Sequence, residues 1–264
     1  MDFGIKGKVA LSSGGSKGMG RAVSIDLARE GCRVVVCARG EEAVDETVAD
    51  IRARGGEAVP AYVDMAKKDG IERAVAIARE HWGSPDIVVG NVYGPQHGRW
   101  EETSDADFQE AYDQMLMSQV HLLRAVTPAM KEKGWGRIVL IGSTSSKQPH
   151  KELPLLTANV TRVAAVALNR SVANELGRFG ITINTIGTGG FATERYYSYM
   201  RKTVEAQGGV FDEREAARRE EIPVGRLGTP EEMAAVIAFL CSARASYVTG
   251  QFIMVDGGSV NSLM

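Results

Sequence analysis

The string Ser13-Gly14-Gly15-Ser16-Lys17-Gly18-Met19-Gly20 sits between a short apolar run and a helical pattern. Glycines at such a junction let backbone pass close to a ligand. The free N–H groups and positive dipole of the helix start then favour a phosphate. Many glycine runs are only turns. This one follows a strand, opens a helix and begins the first βαβ unit, which is the context for binding a dinucleotide pyrophosphate. The next strand-like run, Val34-Val35-Val36-Cys37-Ala38, ends in Arg39. In dinucleotide folds that strand end faces the adenosine ribose. An acid there accepts the 2′-hydroxyl of NAD, and an arginine accommodates the 2′-phosphate of NADP. Position 39 carries no acid and Lys17 adds a second cation, so NADP(H) is expected ahead of NAD(H). The plainer reading makes both of them ordinary surface cations.

These residues need a scaffold that brings strand ends to one edge. Strand-like runs fall at 8–13, 33–38, 58–63, 86–90, 137–142, 181–187 and 251–255. Helical patterns fall at 18–30, 41–54, 67–82, 105–133, 155–179 and 230–241. The strands are short, branched and nearly all apolar, as strands covered on both faces are. Alternating β and α elements predict an α/β fold: a single Rossmann-type doubly wound domain over residues 1–264, with about seven parallel strands and helices on both faces. One segment departs from the alternation. No strand appears between Glu194 and Ile222, and 11 of the 21 residues at 201–221 are charged. Tyr196, Tyr197 and Tyr199 precede them. The segment reads as a solvated helical insertion, or as a helical lid at about 191–222 over the carboxyl edge of the sheet, where ligands bind.

The chain has 264 residues, with 31 Lys+Arg against 33 Asp+Glu and a formal net charge of −2. That balance argues against a nucleic-acid partner, which usually meets a basic stripe. The longest apolar run, 236–241, is far short of the roughly 20 residues that span a bilayer. The start of the chain lacks the apolar core of a secretory signal. Cys32, Cys37 and Cys241 have no metal-ligand spacing and read as small buried hydrophobes in a reducing compartment. A cytoplasmic protein with a small-molecule substrate, and no metal, is therefore expected.

Along nearly its whole length the chain resembles the short-chain dehydrogenase/reductase superfamily. The glycine turn has that family's spacing. Asp64 stands where its adenine-contacting acid would be, and Asn91, in Gly90-Asn91-Val92-Tyr93-Gly94, where a conserved-type Asn motif follows the fourth strand. Ser143 resembles the catalytic serine at the end of the fifth strand. Asn184, Thr188, Gly189 and Thr193 match the segment that cradles the nicotinamide. The tail from Arg226-Leu227-Gly228-Thr229-Pro230 to Asp256-Gly257-Gly258 is similar to the β-ketoacyl carrier-protein reductase branch. The resemblance implies that Gly14, Ser16, Lys17, Gly18, Met19, Gly20, Arg39, Asp64, Asn91, Gly189 and Thr193 hold the cofactor. It also implies a homo-oligomer, a tetramer or dimer, formed through the helices at 105–133 and 155–179 and the last strand. The second of these helices is apolar around much of its girth, which predicts burial.

Catalysis does not transfer so directly. The family uses a Tyr and a Lys four residues apart on one helix face. Counted from Ser143, those positions fall on Leu156 and Val160, and the family's helix-borne Asn falls at Met115. None of the seven tyrosines has a Lys four residues later. The pattern resembles a divergent subgroup in which a Lys follows the serine strand, as Lys147 does here. A ketone reduced by hydride becomes an alkoxide that needs a proton or an oxyanion stabiliser. Ser143, Lys147 and Tyr93 are the candidates, with His97 as a proton relay; His150 and Lys151 extend the same loop. Their plainer readings are a strand-end cap, a solvated lysine and pocket walls. Leu156 and Val160 read as core packing or as an apolar wall suited to an enone. Three functions follow: an NADP(H)-dependent reductase of a carbonyl or enone, a lyase or isomerase on the same scaffold, or a silent cofactor-binding subunit.

Overall fold

The computed structural model describes residues 2–149 and 153–262. Seven strands form one sheet: β1 (Val9–Ser13), β2 (Arg33–Ala38), β3 (Glu57–Tyr62), β4 (Ile87–Gly90), β5 (Gly136–Ile141), β6 (Ile181–Thr188) and β7 (Phe252–Val255). Their order is β3-β2-β1-β4-β5-β6-β7, and every pairing is parallel. Parallel neighbours need crossovers. These are supplied by α1 (Gly18–Arg29), α2 (Glu41–Ala53), α3 (Lys68–His81), α4 (Asp105–Tyr112), α5 (Ser118–Lys133), α6 (Leu156–Leu176), α7 (Glu194–Gln207), α8 (Phe211–Glu220) and α9 (Pro230–Cys241).

Alternation along each strand divides the core. Ala10, Val34, Val36, Val89 and Val139 pack under α1, α2 and α9. Leu11, Val35, Cys37, Val88 and Ile138 face the other way, under α3, α5 and α6. Both sides of a strand are thus buried, which explains why the runs are continuously apolar rather than alternating. The order reverses between β1 and β4, so the crevice at their carboxyl ends is the topological switch point where α/β sheets bind ligands. Among the described residues no helix is long and apolar enough to cross a membrane, and no cluster of His, Cys, Asp and Glu could hold a metal ion.

One expectation changes. The helix expected over 105–133 is broken by a π-helical turn, Asp113–Met117, which buries Met115 and Gln114. Such turns often lie beside functional sites. Helix α6 buries one face against its own chain. Ala158, Ala165, Ala173 and Leu176 pack inward, whereas Val160 is 52% and Val163 49% exposed.

At the amino ends of the strands, buried Asp86 ties three elements together. Its carboxylate accepts from the backbone N–H of Val9 at 3.0 Å and from Lys133 Nζ at 2.8 Å. Asp86→Ala removes the carboxylate from the Val9 N–H and leaves Lys133 Nζ only the Ser84 carbonyl, so unfolding stability should fall by about 1–3 kcal/mol. A urea midpoint that drops with an unchanged m-value would register this.

Candidate active site

The site begins with the glycine turn. Gly14 and Gly18 adopt φ of +62° and +51°, open to glycine at little cost. A Cβ on Gly20 would stand 2.0 Å from the Gly14 carbonyl oxygen. Helix α1 therefore starts directly under the turn. Ser24 Oγ lies 2.8 Å from Ser12 Oγ and 3.1 Å from the Gly15 carbonyl, fastening the helix to β1 and the turn. No side chain caps the first turn of α1, whose N-cap is Lys17. Its N–H donors are free for an anion.

Around this turn lies a cleft of about 660 Å³. Gly14, Ser16, Lys17, Gly18, Met19, Arg39, Asp64, Asn91 and Thr193 all line it. Asn91 packs over Gly14, and its carbonyl accepts from Ser13 Oγ at 2.5 Å. Thr193 caps α7 by accepting from the Tyr196 N–H at 3.2 Å, and its methyl meets Gly18. Gly20 and Gly189 work from behind the lining: Gly189 lies against the Asp256 backbone, where a Cβ would come within 2.6 Å. The Thr188 hydroxyl at the end of β6 is buried and has no partner among the described residues. A glycine cradle that any Cβ would fill, an uncapped helix start and cations at the cleft suit a nicotinamide dinucleotide.

Tyr93 lines the same cleft. It follows β4, its hydroxyl donates to Asp64 Oδ2 at 3.3 Å, and the Arg39 guanidinium lies 4.1 Å from its ring centroid. Burial, then the nearby Asp64 carboxylate, push its pKa up. The cation over the ring and the acid at its tip hold this phenol beside the segments that follow β2 and β3.

Ser143 lies two residues past β5 and caps a short 3₁₀ turn, Thr144–Ser146, with its Oγ accepting from the Ser145 N–H at 3.2 Å. The hydroxyl proton remains free to donate. Lys147 closes that turn and is half-buried. Leu156 opens α6, and exposed Val160 is not core packing. His150 and Lys151 lie outside the described residues.

Composition and spacing missed a second cluster. Residues 94–98 run across the start of α6, held by a Gly98–Leu155 bridge and by Thr157 Oγ1 donating to the Gln96 carbonyl at 3.4 Å. Arg162, two turns into α6, and Arg195, in the first turn of α7, converge there. Their NH2 atoms lie 3.3 and 3.4 Å from the point where a Gly94 Cβ would stand. His97 packs edge-on against Tyr199, with centroids 5.1 Å apart. The signal available was a basic residue, Arg162, inside an otherwise apolar helical stretch. Gly70 was missed as well: a Cβ there would meet the Asp64 carbonyl at 2.1 Å, so this glycine lets α3 seat the Asp64 segment.

Comparison with known proteins agrees with this architecture. Residues 14–260 match the family described as enoyl-(acyl carrier protein) reductase. Dehydrogenase/reductase SDR family member 4 of Sus scrofa is 30% identical over 261 residues, covering 98% of this chain and 89% of the relative. The structure of L-sorbose reductase from Gluconobacter frateurii, complexed with NADPH and L-sorbose, superposes with a TM-score of 0.93 at 30% identity, covering 100% of both chains. That of 7α-hydroxysteroid dehydrogenase, complexed with NADH and 7-oxo glycochenodeoxycholic acid, has a TM-score of 0.88 at 30% identity and covers 100% of this chain and 98% of the other. The chain belongs to the short-chain dehydrogenase/reductase superfamily, whose members here are oxidoreductases with nicotinamide cofactors.

Partial loss of hydration, then Arg195 and Arg162, push the His97 pKa below its ordinary 6.5. The folded chain therefore holds His97 neutral where the unfolded chain takes up a proton, and this part of stability is lost as pH falls through 6.5. In an NMR titration the His97 ring should titrate below 6.5, and Arg195→Gln should raise its midpoint.

Proposed function

We propose that the chain is an NADP(H)-dependent oxidoreductase that acts on a small carbonyl or enone substrate through a non-standard active site. The observation that carries the cofactor choice is Arg39 lying over Tyr93 beside the cleft, at a strand end with no acid of its own. A guanidinium there suits a 2′-phosphate and offers nothing to accept a 2′-hydroxyl. The NADPH complex of the sorbose reductase supports the same choice. When bound, the cofactor supplies or accepts the hydride.

The chain's own residues do the rest. The glycine turn and the start of α1 would receive the pyrophosphate, with Lys17 adding charge. Asp64, held by Tyr93, would face the adenine side, and Asn91, Gly189 and Thr193 the nicotinamide side. Ser143 has a free hydroxyl proton to give to a substrate oxygen, and Lys147, four residues on, is the candidate acid or electrophilic donor. Counted from Ser143, Leu156 and Val160 take the places of the family's Tyr and Lys; Leu156 would give an apolar wall, while Val160 is exposed. Buried Met115 stands at the family's Asn position and offers no support for a relay water. Reduction of a conjugated alkene tolerates such a wall better than reduction of a simple ketone does. In this reading α7 and α8 form the lid at about 191–222, because Thr193, Glu194, Arg195 and Ser198 already line the cleft. Exposed Val160 and Val163 and the half-exposed edge strand β7 suit a dimer or tetramer of this chain.

Arg39→Glu should weaken NADPH binding at least about tenfold and spare NADH, since a carboxylate repels the 2′-phosphate and accepts a hydroxyl. Fluorescence titration measures both, and an unchanged preference overturns the NADP assignment. In a carbonyl and enone panel, Lys147→Ala should lower turnover by roughly 10²–10⁴. Unchanged turnover removes Lys147 from catalysis, and NADPH binding without any turnover identifies a silent subunit. Light scattering at micromolar concentration should give a dimer or tetramer, and a monomer refutes self-association.

A further inference from the structure

We infer that the groove between α3 and α5 is a binding site for a chain of linked phosphates, as in inorganic polyphosphate or a nucleoside triphosphate. The groove holds about 400 Å³ and shares no lining residue with the cofactor cleft. The site goes beyond the reductase reading and does not depend on it. On α3, Lys68, Glu72, Val75 and Arg79 recur at helical spacing and so share one face. His121, Arg124 and Ala125 meet them from α5. Val75 is buried and Ala125 ends at its Cβ, so the two helices touch through short side chains and leave space between the long charged ones. A different edge of α5 meets α6, where Gln119 Oε1 accepts from Asn169 Nδ2 at 3.1 Å. At about 100° per residue, the groove residues lie on the far side of α5 from Gln119.

The charge in the groove is unbalanced. Lys68, Arg79 and Arg124 line it against a single acid, Glu72. Glu72 pairs with Lys68 at 3.7 Å, and Arg79 Nε donates to neutral Ser84 Oγ at 3.3 Å. Among the described residues the side chains of Arg124 and His121 have no hydrogen bond or ion pair. Arg124 thus keeps its whole planar fork of donors, and His121 has a ring N–H to give in either protonation state. Cations that line one cleft repel one another and concentrate counter-anions there. Phosphate oxygens answer them as acceptors and take a guanidinium through two parallel bonds.

Spacing favours linked phosphates over a single one. Lys68 and Arg79 stand about three turns apart, roughly 16 Å along the axis of α3. Arg124 and His121 supply further donors from the opposite wall. A lone phosphate meets only part of this length, whereas a chain of phosphates meets donors from both helices. Placement also separates the groove from the cofactor's own phosphates. Those belong at the glycine turn after β1, while Lys68 begins α3 after β3. Asp64, in the wall of the cofactor cleft, lies one turn before Lys68, so the groove adjoins the cleft without sharing its lining. Both can be filled together.

The test uses the full chain, with sodium tripolyphosphate as the probe and calorimetry at low salt. Tripolyphosphate should bind about tenfold or more tighter than orthophosphate, with or without saturating NADPH. Arg124→Gln and, separately, Arg79→Gln should each weaken it about fivefold or more and leave NADPH affinity within about twofold. Both side chains are exposed, and if one variant does not fold the other carries the test. With NADPH bound, Lys17→Gln, at the glycine turn, should leave tripolyphosphate binding within about twofold. ATP that binds about as tightly as tripolyphosphate identifies the phosphate chain as the ligand, and ATP that binds about tenfold tighter identifies a nucleotide. Orthophosphate binding as tightly as tripolyphosphate overturns the inference. So does a loss in Lys17→Gln with none in the arginine variants, which assigns the probe to the glycine turn. A smaller assembly for Arg124→Gln in light scattering overturns it as well, because the groove would then be a contact between copies.

Discussion

The contact between Gly20 and the Gly14 carbonyl is the constraint on which the site depends. Any side chain at position 20 would lie on top of that oxygen. Because none does, α1 begins hard against the end of β1 and aims its uncapped N–H groups at the switch point. Ser24 then fixes the helix to β1 and the turn, and the buried face of α1 carries the join into the core through Val23 and Leu27. A bulkier residue would lift the helix start and with it the floor of the cleft. Gly70 under Asp64 and Gly189 against Asp256 repeat the device at β3 and β6. The three strand ends of the cleft are thus shaped by absent side chains as much as by present ones.

The cleft has two charged corners of different character. On the β2 and β3 side, Arg39, Tyr93 and Asp64 neutralise one another in a chain of ring and hydrogen-bond contacts. On the β5 and β6 side, Arg162 and Arg195 face each other without an acid among the described residues. The first corner holds its cation against a ring and an acid, whereas the second has no acid beside its cations among the described residues. Helix α6 opens on apolar Leu156.

Much of this was legible in the residues. Continuous apolar runs gave the parallel sheet, because both faces of each strand are covered. The glycine turn declared itself because strand, turn and helix follow one another within a few residues. Arg39 was readable because a strand end fixes where its side chain starts. What could not be read were contacts made across the chain. Tyr93 follows β4, and its position suggested chemistry beside Ser143; only the fold brings Asp64 and Arg39 close enough to claim it. Arg162 is one cation in an apolar stretch and gains meaning only when α7 carries Arg195 to it. The π-helical turn has no sequence signature at all: a single extra residue in a turn leaves the helical pattern on either side intact.

The seat of Arg39 on Tyr93 also bears on selectivity. A free arginine side chain loses roughly 1.5–2 kcal/mol of rotamer entropy when it is immobilised. Laid flat on a phenol ring that is itself tethered to Asp64, this guanidinium has already surrendered much of that freedom before any nucleotide arrives. The corner resembles a mould rather than a flexible arm. A nucleotide whose ribose substituent fits would meet little reorganisation, and one that does not fit would find a group that cannot easily swing aside.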